Sequence, residues 1–141
     1  MDRAIAQRLI ERLNRDAEHL ARRFGLRYRS ITAERAGVTS RYGVCYADGA
    51  IKIRLRHATT GRPLKYSSLV NTLCHELAHL RHFNHGPRFR AFYFEILDHA
   101  RAIGIYRPGR AQVPAPARPA SAPQRRTIAA APAATQLDLF G

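Results

Sequence analysis

The sequence predicts an α+β fold, in which a few short strands lie between an N-terminal helix and two later helices. Apolar residues recur at three- and four-residue steps near the N-terminus and again after Tyr66, as they do along one face of a helix. Between these two regions, short apolar segments flank Asp48-Gly49, which is typical of a β-hairpin. The chain has 141 residues, 45% of them hydrophobic, which suffices for one domain with a core and a short appendage.

The first helix is predicted between Asp2 and Gly25. Aspartate is a residue type that caps helix N-termini, and glycine commonly ends a helix because it adopts a left-handed backbone at little cost. Arginines occupy the other faces of this helix. Its apolar stripe consists of Ile5, Leu9, Leu13, Ala17 and Leu20.

A small antiparallel sheet is predicted next. Residues 26–31 have the composition of a short strand, and residues 44–46 and 51–55 form the two strands of the hairpin. In the second hairpin strand, apolar residues alternate with Lys52, Arg54 and Arg56, so one face of the strand is expected to be buried.

Two helices are predicted after Pro63. The first spans residues 67–83, with an apolar stripe of Leu69, Leu73, Leu77 and Leu80. Residues 84–87 interrupt it, and Pro87 is suited to open the second helix because the first helical turn needs no N–H donor there. The second helix ends at Gly104 and carries Phe89, Phe92, Tyr93, Ile96, Leu97 and Ile103.

The helix over residues 67–83 contains His75-Glu76-Leu77-Ala78-His79, the motif H-E-x-x-H. Residues four apart lie on the same face of a helix, so both imidazoles can reach one metal ion. Glu76 lies about 100° around the helix from His75. There it can hold a water molecule at an open metal position. The motif therefore predicts a catalytic Zn²⁺ site.

A catalytic zinc ion ordinarily has three protein ligands, and this helix offers two on one face. His85 is the favoured third ligand, because Gly86-Pro87 turns the chain back immediately after it. His82 is the alternative, but a continuing helix would carry its side chain past the ion.

The segment from His75 to Leu80, followed by Asn84-His85-Gly86-Pro87-Arg88-Phe89, resembles the zincin-like families grouped around YgjP-type and SprT-like metallopeptidase domains. Residues 41–45 are similar to the R-W-G-S-C segment of YgjP-like proteins, with Tyr42 and Val44 in place of tryptophan and serine. The resemblance covers about residues 40–95. It implies a zincin-like fold, with His75, His79 and His85 as zinc ligands and Glu76 as the general base of peptide hydrolysis.

The same resemblance implies that an extended protein or peptide substrate binds to an exposed strand beside the site. Residues 51–55 are the candidate strand. The candidates for a donor that assists the oxyanion are Tyr66, His82 and Arg88.

The charge of the chain favours a polyanionic partner. The formal net charge is +14, and 22 of the 24 cationic residues are arginine, so we expect DNA to bind the basic surface through its phosphates. No apolar run is long enough for a membrane span, and Cys45 and Cys74 are too few for a disulfide framework. We expect a cytoplasmic, nucleoid-associated protein with both cysteines buried.

The last quarter of the chain has a different composition. Residues 107–135 are rich in proline, alanine and arginine, which predicts a disordered linker after a domain that comprises residues 1–106. Residues 136–140 resemble the Q-L-[SD]-L-F peptide with which bacterial replication and repair proteins bind the β sliding clamp. The residues of this motif are Gln136, Leu137, Asp138, Leu139 and Phe140.

Together these features predict a zinc metallopeptidase that the sliding clamp recruits to DNA, where it degrades crosslinked or bound proteins, as SprT-like enzymes of the Spartan type do. Two alternatives remain at this point. One is a metal-dependent nucleoside triphosphate phosphohydrolase of the YgjP type, and the other is a non-catalytic, zinc-stabilised DNA-binding adaptor. Glu76 disfavours the adaptor, because a structural zinc site needs no base.

Overall fold

The computed structural model describes residues 2–109, and this part of the chain contains three helices and a three-stranded sheet. The elements belong to a compact unit that ends at Tyr106. The α+β class predicted from the sequence is confirmed. The predicted clamp peptide and nearly all of the predicted linker lie outside the described residues. In chain order the elements are α1 (Arg3–Phe24), β1 (Ser30–Ala33), β2 (Gly43–Cys45), β3 (Ala50–Ile53), α2 (Tyr66–His79) and α3 (Pro87–Ala102).

Helix α1 has the two caps that its sequence predicts. The Asp2 carboxylate accepts a hydrogen bond from the Ala4 N–H at 3.2 Å, which satisfies one of the unpaired donors of the first turn. Gly25 adopts a left-handed backbone with φ of 68°, and its N–H donates to the Ala21 carbonyl. Its buried residues are Leu13, Ala17, Leu20, Ala21 and Phe24.

The sheet is mixed, with the strand order β1-β3-β2. The antiparallel hairpin of β2 and β3 around Asp48-Gly49 is confirmed. Strand β1, however, pairs with β3 in parallel, so the prediction of a wholly antiparallel sheet is wrong. The reason is the connection over residues 34–42, which places β2 on the far side of β3 instead of beside β1.

Strand β3 is the central strand, and this overturns the prediction that residues 51–55 form an exposed peptide-binding strand. Ile51 pairs with Ile31 of β1 on one side and with Cys45 of β2 on the other. Its backbone donors and acceptors are therefore committed to the sheet. The edge strand on the side of α2 is β2, which packs against that helix.

Helix α2 lies at the centre of the molecule, packed against α1, α3 and the sheet. Two hydrogen bonds attach this part of the chain to α1: the hydroxyl of Tyr66 in α2 donates to Asp16 at 2.6 Å, and the guanidinium of Arg81, two residues after α2, donates to the Phe24 carbonyl at 2.6 Å. No helix within residues 2–109 is long and apolar enough to cross a membrane. The core includes Leu13, Leu20, Ile51, Ile53, Leu69, Leu73, Leu77 and Ile96, all of them fully buried.

Candidate metal centre

Three histidines come together at the junction of α2 and α3. His75 and His79 are one helical turn apart on α2, and their ring centroids lie 4.9 Å apart. The turn that Gly86-Pro87 completes brings His85 back, so that its Nε2 is 2.9 Å from Nε2 of His79. Each of the three side chains offers one ring nitrogen, and these nitrogens lie within 4.8 Å of one another.

A backbone hydrogen bond determines which nitrogen of His79 is available to a metal. His79 Nδ1 is 3.0 Å from the carbonyl oxygen of His82. Because a carbonyl only accepts hydrogen bonds, Nδ1 carries the proton and donates it, which leaves the lone pair on Nε2. The His82 ring packs edge-on against Phe92 at 5.9 Å, outside the cluster. Of the two sequence candidates for a third ligand, the structure brings His85 to the pair.

The surroundings of His79 and His85 favour the neutral form of these two imidazoles. Burial lowers the pKa of His79, and the neighbouring His75 adds to this effect. Burial, together with the nearby His75 and His79, lowers the pKa of His85 to about 3. Neutral imidazole is the form that binds a metal ion.

Glu76 is a buried carboxylate beside the histidine cluster, with only 5% of its surface exposed. One of its oxygens, Oε2, lies 3.3 Å from His75 Nδ1, which donates a hydrogen bond to it and leaves the lone pair on Nε2. Strand β2 packs directly over this carboxylate, because Gly43 has no side chain. A Cβ at Gly43 would lie 2.7 Å from Thr72 Cγ2 and 3.2 Å from Glu76 Oε2.

The donor set fits a zinc ion. Neutral imidazole nitrogens are good zinc ligands. Two nitrogens on one tetrahedral zinc lie about 3.3 Å apart at ordinary bond lengths. The 2.9 Å between the Nε2 atoms of His79 and His85 is close to that value. The His75 side chain is 24% exposed and His85 is exposed, so the cluster is open to solvent on one side.

Two aromatic residues of α3 pack against the rings of the histidine cluster. Phe89 stacks on the His79 ring at 4.4 Å and lies 5.0 Å from both His75 and His85, measured between ring centroids. Tyr93 contacts His75 at 5.3 Å, and its hydroxyl donates to Asn71. The sequence predicts both residues on the apolar face of a helix, and Phe89 also ends the segment that resembles the metallopeptidase families, but neither was assigned to the site. Their four-residue spacing immediately after His85 is the signal that would have assigned them to the site.

The three candidates for an oxyanion donor lie at different positions relative to the histidine cluster. The Tyr66 hydroxyl is engaged with Asp16 at the first turn of α2, more than two turns before His75. The His82 ring faces Phe92, away from the cluster. Arg88 is exposed on the first turn of α3, next in the chain to Phe89.

The two cysteines are not poised for thiolate chemistry. Burial raises the pKa of Cys45 to about 12, and the Glu76 and Asp48 carboxylates add to the effect. Cys74 is buried within α2, where burial raises its pKa as well. Both thiols are therefore protonated at neutral pH. The expected burial is confirmed for Cys74, whereas Cys45 on the edge strand β2 is only partly buried.

Comparison with known proteins agrees with this geometry. No curated protein matches the chain in sequence. Among solved structures, Wss1 from Saccharomyces cerevisiae superposes with a TM-score of 0.68 at 19% identity, over 73% of this chain and 82% of that one. Wss1 from S. pombe superposes with a TM-score of 0.59 at 22% identity, over 71% of this chain and 86% of that one. Both therefore share its fold.

The family model described as YgjP-like, metallopeptidase domain, matches residues 1–104. This range includes the three helices, the sheet and the whole histidine cluster. The protein therefore belongs to the YgjP-like family of metallopeptidase domains.

Proposed function

We propose that this protein is a zinc-dependent peptidase that degrades proteins crosslinked or bound to DNA and that the β sliding clamp recruits it. The observation that carries the peptidase assignment is the grouping of His75, His79 and His85 beside the buried Glu76, directly under the edge strand β2. A structural zinc site would have no use for a buried base next to an open position.

His75, His79 and His85 would hold the zinc ion through Nε2 of each ring. When bound, zinc acidifies a water molecule and stabilises negative charge on a carbonyl oxygen. Glu76 accepts the proton of the attacking water and delivers it to the leaving amine. Its position supports this role, because the packing of β2 and the hydrogen bond from His75 Nδ1 hold the carboxylate in one place.

Strand β2 is the proposed binding strand for an extended substrate. Tyr46 donates its N–H to Ala50 of β3, and the Tyr42 carbonyl accepts from Arg54, so these residues direct their backbone groups towards β3. In an antiparallel pair the direction alternates, so Gly43 and Cys45 direct theirs away from β3. A peptide that pairs with this edge would pass beside Glu76, which supports substrate binding by strand addition.

The DNA-related part of the proposal rests on the composition and the tail. The net charge of +14 favours binding to nucleic acid. The segment from Gln136 to Phe140 resembles a clamp-binding peptide and follows a proline-rich segment. A tether of this kind would raise the concentration of the catalytic domain near DNA wherever a clamp is loaded.

The proposal is tested by comparing three substrates: casein, a DNA-bound protein and UTP, each with and without a chelator. We expect chelator-sensitive cleavage of the two proteins, restored by added zinc, and no release of phosphate from UTP. Phosphate release without proteolysis would support the phosphohydrolase instead. DNA binding without hydrolysis of any substrate would support the adaptor.

A further inference from the structure

Helix α1 carries a straight line of basic residues on its solvent face. They follow one another at steps of four, three, four and three residues, which places them within about 80° of one another around the helix and along about 21 Å of its axis. All five are exposed. This basic stripe consists of Arg8, Arg12, Arg15, His19 and Arg22.

Three acidic residues of α1 lie along the margins of the basic stripe, and two of them bond to residues outside it. Glu11 accepts a hydrogen bond from Gln7, and Asp16 accepts one from Tyr66 of α2. Glu18 pairs with Arg22 at 3.3 Å, but both side chains are more than two-thirds exposed, so water and salt screen this pair. The four arginines of the stripe outnumber these three carboxylates, so the face keeps a small net positive charge.

One member of the stripe is held rigidly. The Arg12 guanidinium lies 3.7 Å from the centre of the Tyr66 ring, while the Tyr66 hydroxyl is bonded to Asp16. The helix itself is fixed by its buried face and by its caps. The helix therefore presents the members of the stripe from backbone positions at nearly constant spacing.

From this arrangement we infer that the basic stripe of α1 is a docking surface for the phosphate backbone of duplex DNA. Over about 21 Å of axis, a duplex presents about 12 phosphates in a fixed array, which four arginines and a histidine on one face of a straight helix can follow. The acidic margins oppose entry of the helix into a groove, so the contacts would carry no sequence information. The choice of DNA over other polyanions rests on the proposed function.

The position of the stripe fits a substrate that is part DNA and part protein. Helix α1 contacts the face of α2 that carries Tyr66. On a regular helix this face lies opposite the one that carries His75 and His79. DNA on the stripe would therefore leave the histidine cluster free to meet a protein.

The test is DNA binding by the full-length chain with Arg8→Gln, Arg15→Gln and Arg22→Gln combined. Glutamine keeps the helix propensity, and Arg12 is left in place because it packs on Tyr66. The matched control combines Arg27→Gln, Arg35→Gln and Arg62→Gln, three exposed arginines outside α1 with the same total change in charge. The probe is a labelled 25-base-pair duplex, titrated by fluorescence anisotropy between 50 and 250 mM salt.

We expect the stripe variant to bind the duplex at least tenfold more weakly at 100 mM salt, with a salt slope reduced by about 2 to 3. The control should lose less than threefold. Equal losses in both variants would show that only net charge matters and would overturn the inference. An equal loss on a single-stranded oligonucleotide would overturn the assignment to duplex DNA.

A second readout separates this inference from the proposed function. The stripe variant should cleave a free peptide as fast as the unaltered protein, since the stripe is remote from the site. Absence of peptide cleavage in the unaltered protein would refute the proposed peptidase and leave the DNA-binding result standing.

Discussion

At His79, a backbone carbonyl determines which ring nitrogen can bind a metal. The hydrogen bond from His79 Nδ1 to the His82 carbonyl fixes the tautomer, and Phe89 stacked on the ring fixes its orientation. Such supporting contacts orient metal ligands and tune their affinity. Only the main-chain carbonyl of His82 takes part in this support, because its ring packs against Phe92 instead.

His82 and His85 therefore give a direct test of the third ligand. His85→Ala removes an imidazole from the cluster and should weaken zinc binding by more than about 100-fold, because loss of a ligand exceeds the effect of losing a supporting contact. His82→Ala keeps the carbonyl that orients His79, so it should keep about one zinc per chain. The measurement is metal content after dialysis against a weak chelator. Zinc retained by His85→Ala and lost from His82→Ala would contradict the assignment.

The residues of the site differ in how well the sequence predicts them. The H-E-x-x-H spacing on a helix brings His75 and His79 together because the helix is locally determined. His85 depends on a turn, and Gly86-Pro87 marks that turn. Phe89 and Tyr93 were missed as site residues because core packing alone explains an aromatic residue on a helix face.

In the sheet, likewise, the sequence predicts the local pairing of strands but not the pairing of strands that are distant along the chain. The hairpin of β2 and β3 is a local structure that Asp48-Gly49 predicts. The parallel pairing of β1 with β3 joins strands that are not consecutive, and periodicity does not indicate which strands become neighbours. The identity of the edge strand follows from this pairing, so the candidate for peptide binding moves from residues 51–55 to β2.

A buried arginine holds the connection that leads into β2. The Arg54 guanidinium donates to the carbonyls of Thr39, Arg41 and Arg56, and it stacks on Tyr42. Alternation along a strand predicted that Arg54 would be exposed, but only 7% of its surface is. The three carbonyls take the place of water around the buried guanidinium. Arg54 can therefore be buried although its position in the predicted strand faces outward.

Gly43→Ala tests the close packing of β2 on α2. The added Cβ would meet Thr72 Cγ2 at 2.7 Å and the Lys52 carbonyl at 3.0 Å, so β2 has to move away from Glu76. We expect a loss of about 1–3 kcal/mol in the free energy of unfolding, as for other overpacked sites. Peptide cleavage should fall as well, because the edge strand and the base lose their alignment.

Thr72→Ser supplies the control for this prediction, since serine lacks the methyl group that the new Cβ would meet. The Gly43→Ala, Thr72→Ser double variant should recover part of the lost stability and cleavage rate. Unchanged melting temperature and activity in Gly43→Ala alone would contradict the packing account.

For the whole molecule, the composition predicts a catalytic unit followed by a separate targeting peptide. We expect the two to act independently. Replacing Leu139 and Phe140 with alanine removes both apolar anchors, each contributing on the order of 2 kcal/mol to binding. Clamp binding should be lost, while zinc content, thermal stability and cleavage of a free peptide stay unchanged.

The measurement for the targeting peptide is the binding of a synthetic peptide over residues 131–141 to purified β clamp. The control for the full-length variant at Leu139 and Phe140 is the full-length chain with Thr127→Ala and Ile128→Ala. This control alters the same tail outside the motif and should keep clamp binding. Failure of the peptide to bind near 100 μM, about 5.5 kcal/mol of binding free energy, would refute recruitment by the clamp.

The most direct test of the central claim is the zinc content and peptide-cleavage rate of Glu76→Gln, measured on one preparation beside the unaltered protein. Glu76 is next to the histidine cluster and is not one of its three members. Glutamine keeps the size of the side chain and removes its ability to accept a proton. We predict full zinc occupancy with cleavage reduced by at least about 100-fold, in line with the loss of a general base. Cleavage at the unaltered rate, or loss of zinc together with activity, would contradict the assignment of Glu76 as the base beside a three-histidine site.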